Sequence, residues 1–288
     1  MNITELNKLP EYSKPDNYSW DMLPEASISA YMVCKNEIQF IDLAICSVAP
    51  YVEDFVIVDT GSIDGTFEKI KDLAKQFTSI KVFERRIENF DLSEVRNYAM
   101  KQCQYDTIMV VDGDEVYDEQ EIIKIKKWFS IHPKDAGQFG ARLLSVRPIG
   151  DFKKAEADIY MVRLIRRQPH VAYRRIWPAD DIFYNDFPLF VKLPYLPIYL
   201  FHLASVKPYH VRLHKWATYH ALSFWEDKIK KSEIPDYFSM ADMRQSAKFV
   251  NHVHCQQAPL LTVPIPDILK PHIERIERDA QTPNSEKI

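Results

Sequence analysis

Apolar runs of strand length alternate with segments of helical spacing over the first half of the chain. Buried strands are predicted at residues 28–34, 54–59, 80–84 and 107–112. Amphipathic helices are predicted at residues 37–49, 66–77, 92–103 and 119–131. Such alternation favours right-handed crossovers, with ligands bound beyond the carboxyl ends of the strands. We therefore expect an α/β protein with a mainly parallel sheet and helices on both of its faces.

The pattern loosens after residue 131 and divides the chain into regions. Strand-like segments follow at residues 137–147 and 159–167, and an aromatic-rich amphipathic helix is predicted from Lys207 to Lys231. Prolines among polar residues predict an extended arm at the start of the chain. The expected regions are an arm at 1–25, a main domain at 26–205 with two parts, 26–118 and 119–205, and a C-terminal helical extension and tail at 206–288.

Composition narrows the class of protein. The chain has 288 residues, 46% of them apolar, and a net charge of −4 at a pI of about 6.2. This is enough apolar material for a sizeable core, and no global basic field attracts nucleic acid. We expect no transmembrane segment and a cytoplasmic location, since neither a leader pattern nor an apolar run of about 20 residues is present. Buried free thiols are predicted for the cysteines, Cys34, Cys46, Cys103 and Cys255.

Two acidic clusters close apolar runs and mark the candidate site. The first, DTGSIDGT at residues 59–66, follows the second predicted strand, and the other, VVDGDE at 110–115, ends the fourth. Strand-end carboxylates can accept hydrogen bonds from a ribose or a base and hold a divalent cation against a diphosphate. Asp59 is a candidate for the ribose or uracil contact. Thr66 is expected to be the N-cap of the next helix, while Asp64 fits either a cap or a ligand contact.

Four motifs in order resemble those of the family 2 glycosyltransferases with a GT-A fold. They are MVCKNE at 32–37, VEDFVIVDTGSIDGT at 52–66, NFDLSEVRNYAM at 89–100 and VVDGDE at 110–115. The resemblance implies a Rossmann-like nucleotide-diphospho-sugar transferase fold. It also implies that residues 26–118 bind the nucleotide and that residues 119–205 face the acceptor.

The resemblance also assigns roles to individual residues. Asp59 matches the acid that recognises the nucleotide, and Asp64, in the same motif, is included in the nucleotide site. Arg96 and Asn97 match a pair that lines the nucleotide pocket, and Asp112 and Gly113 match the ribose-facing part of a D-x-D element. Asp114 matches the acid that binds Mn²⁺ or Mg²⁺, and His202, which interrupts a later apolar run, matches a further metal ligand. A hydrogen-bonded core histidine is the alternative for His202.

The sequence identifies the general base less clearly than it identifies the nucleotide and metal ligands. The family often has a His-Glu pair where this chain has RLIRRQPHVAYRRIWPADD at residues 163–181. Asp181, or else Asp180, stands near that place and is predicted to remove the acceptor proton. The alternative is that either acid ends a loop after Pro178.

The same segment carries a cluster of basic residues, Arg163, Arg166, Arg167, Arg174, Arg175 and His170. Strand alternation predicts that Arg163 and Arg167 share a face and that Arg166 points away. That face could contact a diphosphate or an anionic acceptor. A solvated strand edge protected by charge is the alternative.

The predicted function is metal-dependent, inverting transfer of a sugar from a nucleotide-sugar, with a UDP-sugar favoured as donor and Mn²⁺ or Mg²⁺ as cofactor. The acceptor stays open among a saccharide, a lipid-linked glycan, a peptide side chain and a modified nucleobase, with DNA not favoured. Two alternatives are a nucleotidyltransferase that makes nucleotide-sugars and a non-catalytic binding module on the same fold. The missing glycine-rich loop after the first strand argues against the nucleotidyltransferase.

Overall fold

The computed structural model describes residues 20–87, 92–132, 139–149, 152–176, 179–189, 193–207, 261 and 263–281. The strands are β1 (Ser29–Cys34), β2 (Asp54–Asp59), β3 (Ile80–Glu84), β4 (Thr107–Val111), β5 (Glu115–Val116), β6 (Gly140–Ile149), β7 (Lys154–Arg166), β8 (Val171–Ile176), β9 (Ala179–Tyr184), β10 (Phe187–Pro188) and β11 (Tyr195–His202). The α-helices are α1 (Ile41–Val48), α2 (Thr66–Ala74), α3 (Leu92–Gln102), α4 (Glu119–Ile131) and α5 (Lys270–Gln281). Short 3₁₀ helices lie at Trp20–Met22, Ala49–Tyr51, Leu203–Val206 and Asp267–Leu269.

Eight strands form one sheet in the order β3-β2-β1-β4-β7-β6-β11-β5. The first four are parallel to one another, β7 is antiparallel to β4 and to β6, and β11 runs parallel to β6. The short β5, at the far edge, is antiparallel to β11. A separate three-stranded antiparallel sheet consists of β8, β9 and β10. The predicted α/β class with a mainly parallel sheet is confirmed.

Alternating side chains of the central strands bury into two different cores. On β1, Ala30 and Met32 join one core cluster, whereas Tyr31 between them joins the other. The first cluster packs beneath α1, α2 and α4, and the second packs against α3 and the three-stranded sheet. Helices therefore cover both faces, as a period of two in fully buried parallel strands requires.

Most predicted element boundaries agree with the structure within a few residues, but the strand predicted at 159–167 is longer and begins at Lys154 (β7), and one helix begins late. The helix predicted to start at residue 37 starts at Ile41, because residues 36–40 form a turn that begins at Asn36 with a φ of 56°. The predicted helix at 207–231 lies outside the described residues, and so does Cys255. Cys34 and Cys103 are buried free thiols as expected, while Cys46 is half-buried. Across the described part of the chain, every helix is too short or too polar to cross a bilayer.

Candidate functional site

Hydrogen bonds to side chains of the first two motifs connect the loop after β1 to the loop after β2. The backbone N–H of Asn36 donates to the Ser62 hydroxyl at 2.9 Å, and the N–H of Glu37 donates to the Thr66 hydroxyl at 2.8 Å. In return, the N–H of Ile63 donates to the Asn36 side-chain oxygen at 2.9 Å. These bonds hold the residues after Cys34 out of a helical path, which explains the late start of α1.

Asp59, at the end of β2, is buried and organises the turn that follows it. Its Oδ1 accepts hydrogen bonds from the N–H groups of Gly61 at 2.9 Å and Ser62 at 2.8 Å, and its Oδ2 accepts from the Ser62 hydroxyl at 2.5 Å. Gly61 has a φ of 99°, a conformation that favours glycine. The carboxylate therefore sets the shape of the loop at the carboxyl end of β2. The nucleotide contact expected of Asp59 stays a prediction.

Asp64 stabilises the start of α2. Its Oδ1 accepts from the Thr66 N–H at 3.0 Å and from the Thr66 hydroxyl at 2.6 Å, and its Oδ2 accepts from the Ile38 N–H at 3.2 Å. The N-cap is Gly65, with a φ of 96°, so the assignment of Thr66 as the cap is wrong by one residue. Of the two interpretations of Asp64, the structure supports the capping one, and the ligand contact stays a prediction.

The acidic turn, residues 112–115 between β4 and β5, is held by Arg163. The Arg163 Nη2 lies 2.7 Å from an Asp112 carboxylate oxygen and 2.6 Å from a Glu115 oxygen, and the Arg163 Nε donates to both Glu115 oxygens. Glu115 is fully buried, whereas the Asp112 side chain keeps 25% of its surface exposed. Burial alone would raise the pKa of Asp112, but the charges of Arg163 and Arg96 outweigh it and lower that pKa. Asp112 is thus a partly exposed carboxylate kept ionised by two arginines.

Arg163 reaches this turn because β7 is irregular there. Ala141 pairs with Leu164 and Arg142 pairs with Val162, which leaves Arg163 as the extra residue of a β-bulge. A bulge turns a side chain away from the direction that strict alternation gives it. The prediction that Arg163 and Arg167 share a face is therefore wrong.

Two further arginines of the basic cluster, Arg166 and Arg167, are also used within the fold. Arg166 is buried and donates to the carbonyl oxygens of Phe129 and His132 at the end of α4. Arg167 donates to the carbonyls of Met100 and Cys103 at the end of α3, at 2.7 and 2.8 Å. These cationic groups satisfy carbonyls that a helix end leaves free. Neither arginine belongs to an open anionic-ligand surface or to a solvated strand edge.

Arg96 and Asn97 are neighbours on α3 with different roles. Arg96 Nη2 lies 3.6 Å from an Asp112 oxygen, and its guanidinium lies 5.4 Å from the centre of the Tyr173 ring. The Asn97 amide exchanges two hydrogen bonds with the backbone of Tyr173, at 2.7 and 2.8 Å. Arg96 therefore lies beside Asp112, whereas Asn97 anchors β8 to α3. A ligand contact by Asn97 stays a prediction.

Asp114 is buried where the acidic turn meets the end of β11. Its Oδ1 lies 3.3 Å from the His202 Nε2, and its Oδ2 lies 2.7 Å from the ammonium nitrogen of Lys207. Lys207 also binds Glu37, in the first motif. The opposite ring nitrogen of His202 is buried and has no hydrogen-bond partner among the described residues. The pair expected to bind a metal, Asp114 and His202, is therefore adjacent in space.

Gly113 lets the acidic turn approach Glu37 closely. A Cβ at position 113 would lie 2.9 Å from the Glu37 Cγ and 3.4 Å from the Cys34 Cβ. The first distance is shorter than carbon atoms tolerate, so any side chain would push Glu37 away. Gly113 thus packs the two loops together, and its nucleotide contact stays a prediction.

The acids of the two clusters converge on the end of β1. Cys34, the last residue of β1, is buried, and burial raises the pKa of its thiol; smaller increases come from the charges of Asp59, Glu37, Asp64 and Asp112. β1 lies between β2 and β4 in the sheet, so the loops that follow these strands meet at one edge. That the two acidic clusters border a single ligand site stays a prediction.

The candidate bases are placed on the small sheet. Asp181 pairs with Arg174 and Ile182 pairs with Tyr173 across β9 and β8. Tyr173 and Ile182 are buried in the core cluster beside α3, so alternation directs Asp181 to the opposite face. Asp180 lies on β9, but its side chain falls outside the described residues. The structure thus places Asp181 on the face of β9 turned away from the Tyr173–Arg96 contact, and the identity of the base stays a prediction.

Sequence reasoning missed two residues of the site, Lys207 and Glu37. Glu37 ends the first motif, which was its only signal. Lys207 lies five residues after His202, in a segment without a motif. The two positions are 170 residues apart, so no spacing rule could link them.

The predicted metal ligands can be compared with the ligands that a divalent cation requires. Among the described residues, no group of three or more His, Cys, Asp or Glu side chains forms a metal cluster. Asp114 and His202 nevertheless supply one oxygen and one nitrogen ligand, and Mg²⁺ often binds through one or two carboxylates together with substrate phosphates. The ammonium of Lys207 already stands beside Asp114 as a cation. These residues fit Mn²⁺ or Mg²⁺ held by Asp114 and His202.

Comparison with known proteins gives matches at the level of family and of solved structures. A sequence model described as Glycosyl transferase family 2 matches residues 29–176. The chain is similar to the 1–349 fragment of S. aureus TarS, with 16% identity over 78% of this chain and 71% of that one, at a TM-score of 0.44. It is similar to mannosyltransferase PcManGT from Pyrobaculum calidifontis, solved with GDP-Man and Mn²⁺, with 14% identity over 95% of this chain and 74% of that one, at a TM-score of 0.45.

A comparison with curated proteins gives no match. The family match extends from the first residue of β1 to the last residue of β8, which is just over half of the 288 residues. It includes Asp59, Arg96 and the whole acidic turn. The chain therefore belongs to glycosyl transferase family 2, and its mostly parallel α/β sheet is the GT-A type of fold that its motifs indicated.

Proposed function

We propose that this glycosyltransferase is metal-dependent and inverting, and that it transfers a sugar from a nucleotide-sugar to an acceptor in a single displacement. A UDP-sugar is the favoured donor. The observation that carries the proposal is the acidic turn, in which Asp112 is partly exposed and ionised beside Arg96 while Asp114 lies against His202. Carboxylates in these two settings suit a ribose contact and a cation contact, respectively.

Asp112 and its two arginines form the donor-binding part of the proposal. An ionised carboxylate only accepts hydrogen bonds, so Asp112 accepts from ribose hydroxyl groups. Arg163 fixes the orientation of Asp112, since it binds Asp112 and the buried Glu115 at once. Arg96, between Asp112 and the Tyr173 ring, places a positive charge where it attracts a diphosphate. Asp59 and Asp64 keep the neighbouring loop in shape for the nucleotide.

Asp114 and His202 hold the metal in this proposal. A bound Mn²⁺ or Mg²⁺ neutralises the diphosphate and stabilises the negative charge of the leaving nucleoside diphosphate. The chain's own contribution is to keep both ligands buried and oriented, through the contacts of the acidic turn with the end of β11. Asp181, or else Asp180, stays the candidate for proton removal from the acceptor, although Asp181 lies on the face of β9 turned away from Arg96.

The test compares Asp114→Asn with Asp72→Asn, an exposed acid on α2 that pairs with Lys75. Nucleoside diphosphate release is measured from UDP-, GDP-, CDP- and dTDP-sugars with Mn²⁺, against saccharide, lipid-linked glycan, peptide and hydroxymethylated-DNA acceptors. We expect Asp114→Asn to lose roughly 100-fold or more in rate, equivalent to about 2.7 kcal/mol of barrier, and Asp72→Asn to keep the full rate. Full activity of Asp114→Asn in the presence of EDTA would overturn the role of the metal.

A further inference from the structure

Lys207 is a buried lysine whose ammonium bridges two carboxylates of the site. Its side chain is 4% exposed, and that of Asp114 is 2% exposed. The ammonium nitrogen lies 2.7 Å from the Asp114 Oδ2 and also binds the Glu37 carboxylate. Burying a lysine is costly unless its charge is paired, and here two acids from different loops provide that pairing.

The bridge links three parts of the chain that the proposed reaction requires to be in place. Glu37 is held by the bond from its N–H to Thr66 and lies against Gly113. Asp114 is held by its carbonyl, which accepts from the Leu203 N–H at 2.8 Å. Lys207 follows directly after the 3₁₀ helix that starts at Leu203. The backbone on either side of the bridge is therefore held in position, and the lysine side chain is the long, rotatable partner.

Both oxygens of Asp114 are already engaged, one beside His202 and one beside Lys207. A divalent cation bound to Asp114 would experience the positive charge of Lys207 at close range. Two positive charges a few ångströms apart in a site screened from water repel strongly. The lysine and the metal therefore compete for the same carboxylate.

We propose that Lys207 is an internal competitor of the metal, and that Mn²⁺ or Mg²⁺ reaches Asp114 only by displacing its ammonium. This inference rests on the proposed metal site. The ammonium neutralises Asp114 in the metal-free protein and so keeps the acidic turn in position before a cation arrives. It also lowers the affinity of the free protein for the metal.

The first test is calorimetric titration of Mn²⁺, without nucleotide, into wild type, Lys207→Met and Lys207→Gln. Removal of the competing charge should tighten Mn²⁺ binding by at least roughly tenfold in both variants. Lys124→Met is the matched control, because Lys124 pairs with the buried acid Glu121 on α4, and its Mn²⁺ affinity should equal that of wild type. Adding Asp114→Asn to Lys207→Met should abolish the gain. Unchanged or weaker Mn²⁺ binding by folded Lys207 variants would overturn the proposal.

A second measurement uses the wild-type protein, in case the variants do not fold. Lysines are acetylated briefly with and without Mn²⁺, and mass spectrometry gives the labelling rate of each site. Displacement from Asp114 should raise the labelling rate of Lys207 several-fold with Mn²⁺, with EDTA reversing the effect and Lys124 unchanged. Equal labelling of Lys207 in both states contradicts the displacement.

The outcomes separate this inference from the proposed function. If transfer requires Asp114 and Mn²⁺ while Lys207 affects neither Mn²⁺ affinity nor labelling, the competition is wrong and the function stands. If Lys207 variants bind Mn²⁺ more tightly but the wild type releases no nucleotide with any donor and acceptor, the competition stands and the function fails.

Discussion

Arg163 shows how much of this site depends on one side chain. Its guanidinium contacts Asp112 and Glu115 together and is itself buried. Glu115 is fully buried, and burial raises the pKa of its carboxyl while the charge of Arg163 acts in the opposite direction. The net pKa of Glu115 is raised, and Arg163 is the group that limits this increase while it also lowers the pKa of Asp112. A lysine at this position would lack the planar fork with which the Nε and Nη2 of Arg163 contact Glu115 and Asp112 together.

Replacing Arg163 should destabilise the fold more than replacing an exposed arginine. Arg163→Met leaves two carboxylates without their shared partner, and loss of one member of a buried charge pair typically costs about 3–5 kcal/mol. Urea unfolding measures the change in the free energy of unfolding. Arg174→Met, which removes an exposed pair with Asp186, should cost less than about 1 kcal/mol. Equal stabilities of the two variants would contradict the assigned role of Arg163.

At the scale of elements, the pairing of β6 with β7 contains the β-bulge that orients Arg163. Gly140 begins β6 opposite Ile165, and a Cβ there would lie 2.0 Å from the carbonyl oxygen of Leu164. The backbones of the two strands approach too closely for any side chain at this position. The first residue of β6 thus fixes how β7 lies beside it.

Gly140→Ala should therefore disturb the pairing of β6 with β7. The added methyl group clashes with backbone rather than with a movable side chain, so we expect a loss of about 2–3 kcal/mol or more in the free energy of unfolding. Ser145→Ala on the same strand is the control. Its buried hydroxyl has no hydrogen-bond partner among the described residues, and its removal should be nearly neutral. A Gly140→Ala protein as stable as Ser145→Ala would show that the strands can separate at little cost.

Element-scale patterns were predictable where periodicity alone decides the structure. The runs that became β1, β2 and β4 are buried on both faces, and α4 was predicted with its observed limits, Glu119–Ile131. The edge strand β3 was also predicted, although Lys81 and Glu84 on it are exposed. The bulge at Arg163 was not predictable, because it depends on the register between β6 and β7. The start of α1 was missed for a similar reason, since bonds from the β2–α2 loop hold Asn36 in a left-handed conformation.

At the scale of the whole molecule, the site forms where distant segments meet. Asp59 and Asp112 could be predicted as site residues because each follows a strand of a parallel sheet, and strand ends share an edge. Lys207 could not be predicted, because its position follows from β11 lying beside β5 at the far side of the acidic turn. Local sequence patterns indicate which acidic side chains belong to the site. Tertiary contacts determine which basic side chains neutralise those acids.

Binding of the donor beside the acidic turn should increase the free energy of unfolding of the whole protein. A ligand at about 100 times its dissociation constant adds about 2.7 kcal/mol to the free energy of unfolding, which corresponds to a rise in Tm of roughly 5 °C for a chain of this size. We expect this rise with a UDP-sugar and Mn²⁺, and a smaller one when EDTA replaces Mn²⁺. Arg96→Met should lose most of the rise, because the guanidinium beside Asp112 attracts the diphosphate.

The control for Arg96 is Arg85→Met, since Arg85 pairs with Glu94 of the same helix, α3, but contacts neither Asp112 nor Tyr173 in the described bonds and ring contacts. Its melting temperature should rise with donor and metal as in wild type. Differential scanning fluorimetry across a donor concentration series gives the rise in Tm of both variants. If Arg96→Met and Arg85→Met gain equal stability from the donor, the diphosphate does not bind beside Asp112, and the site must lie elsewhere along the sheet edge.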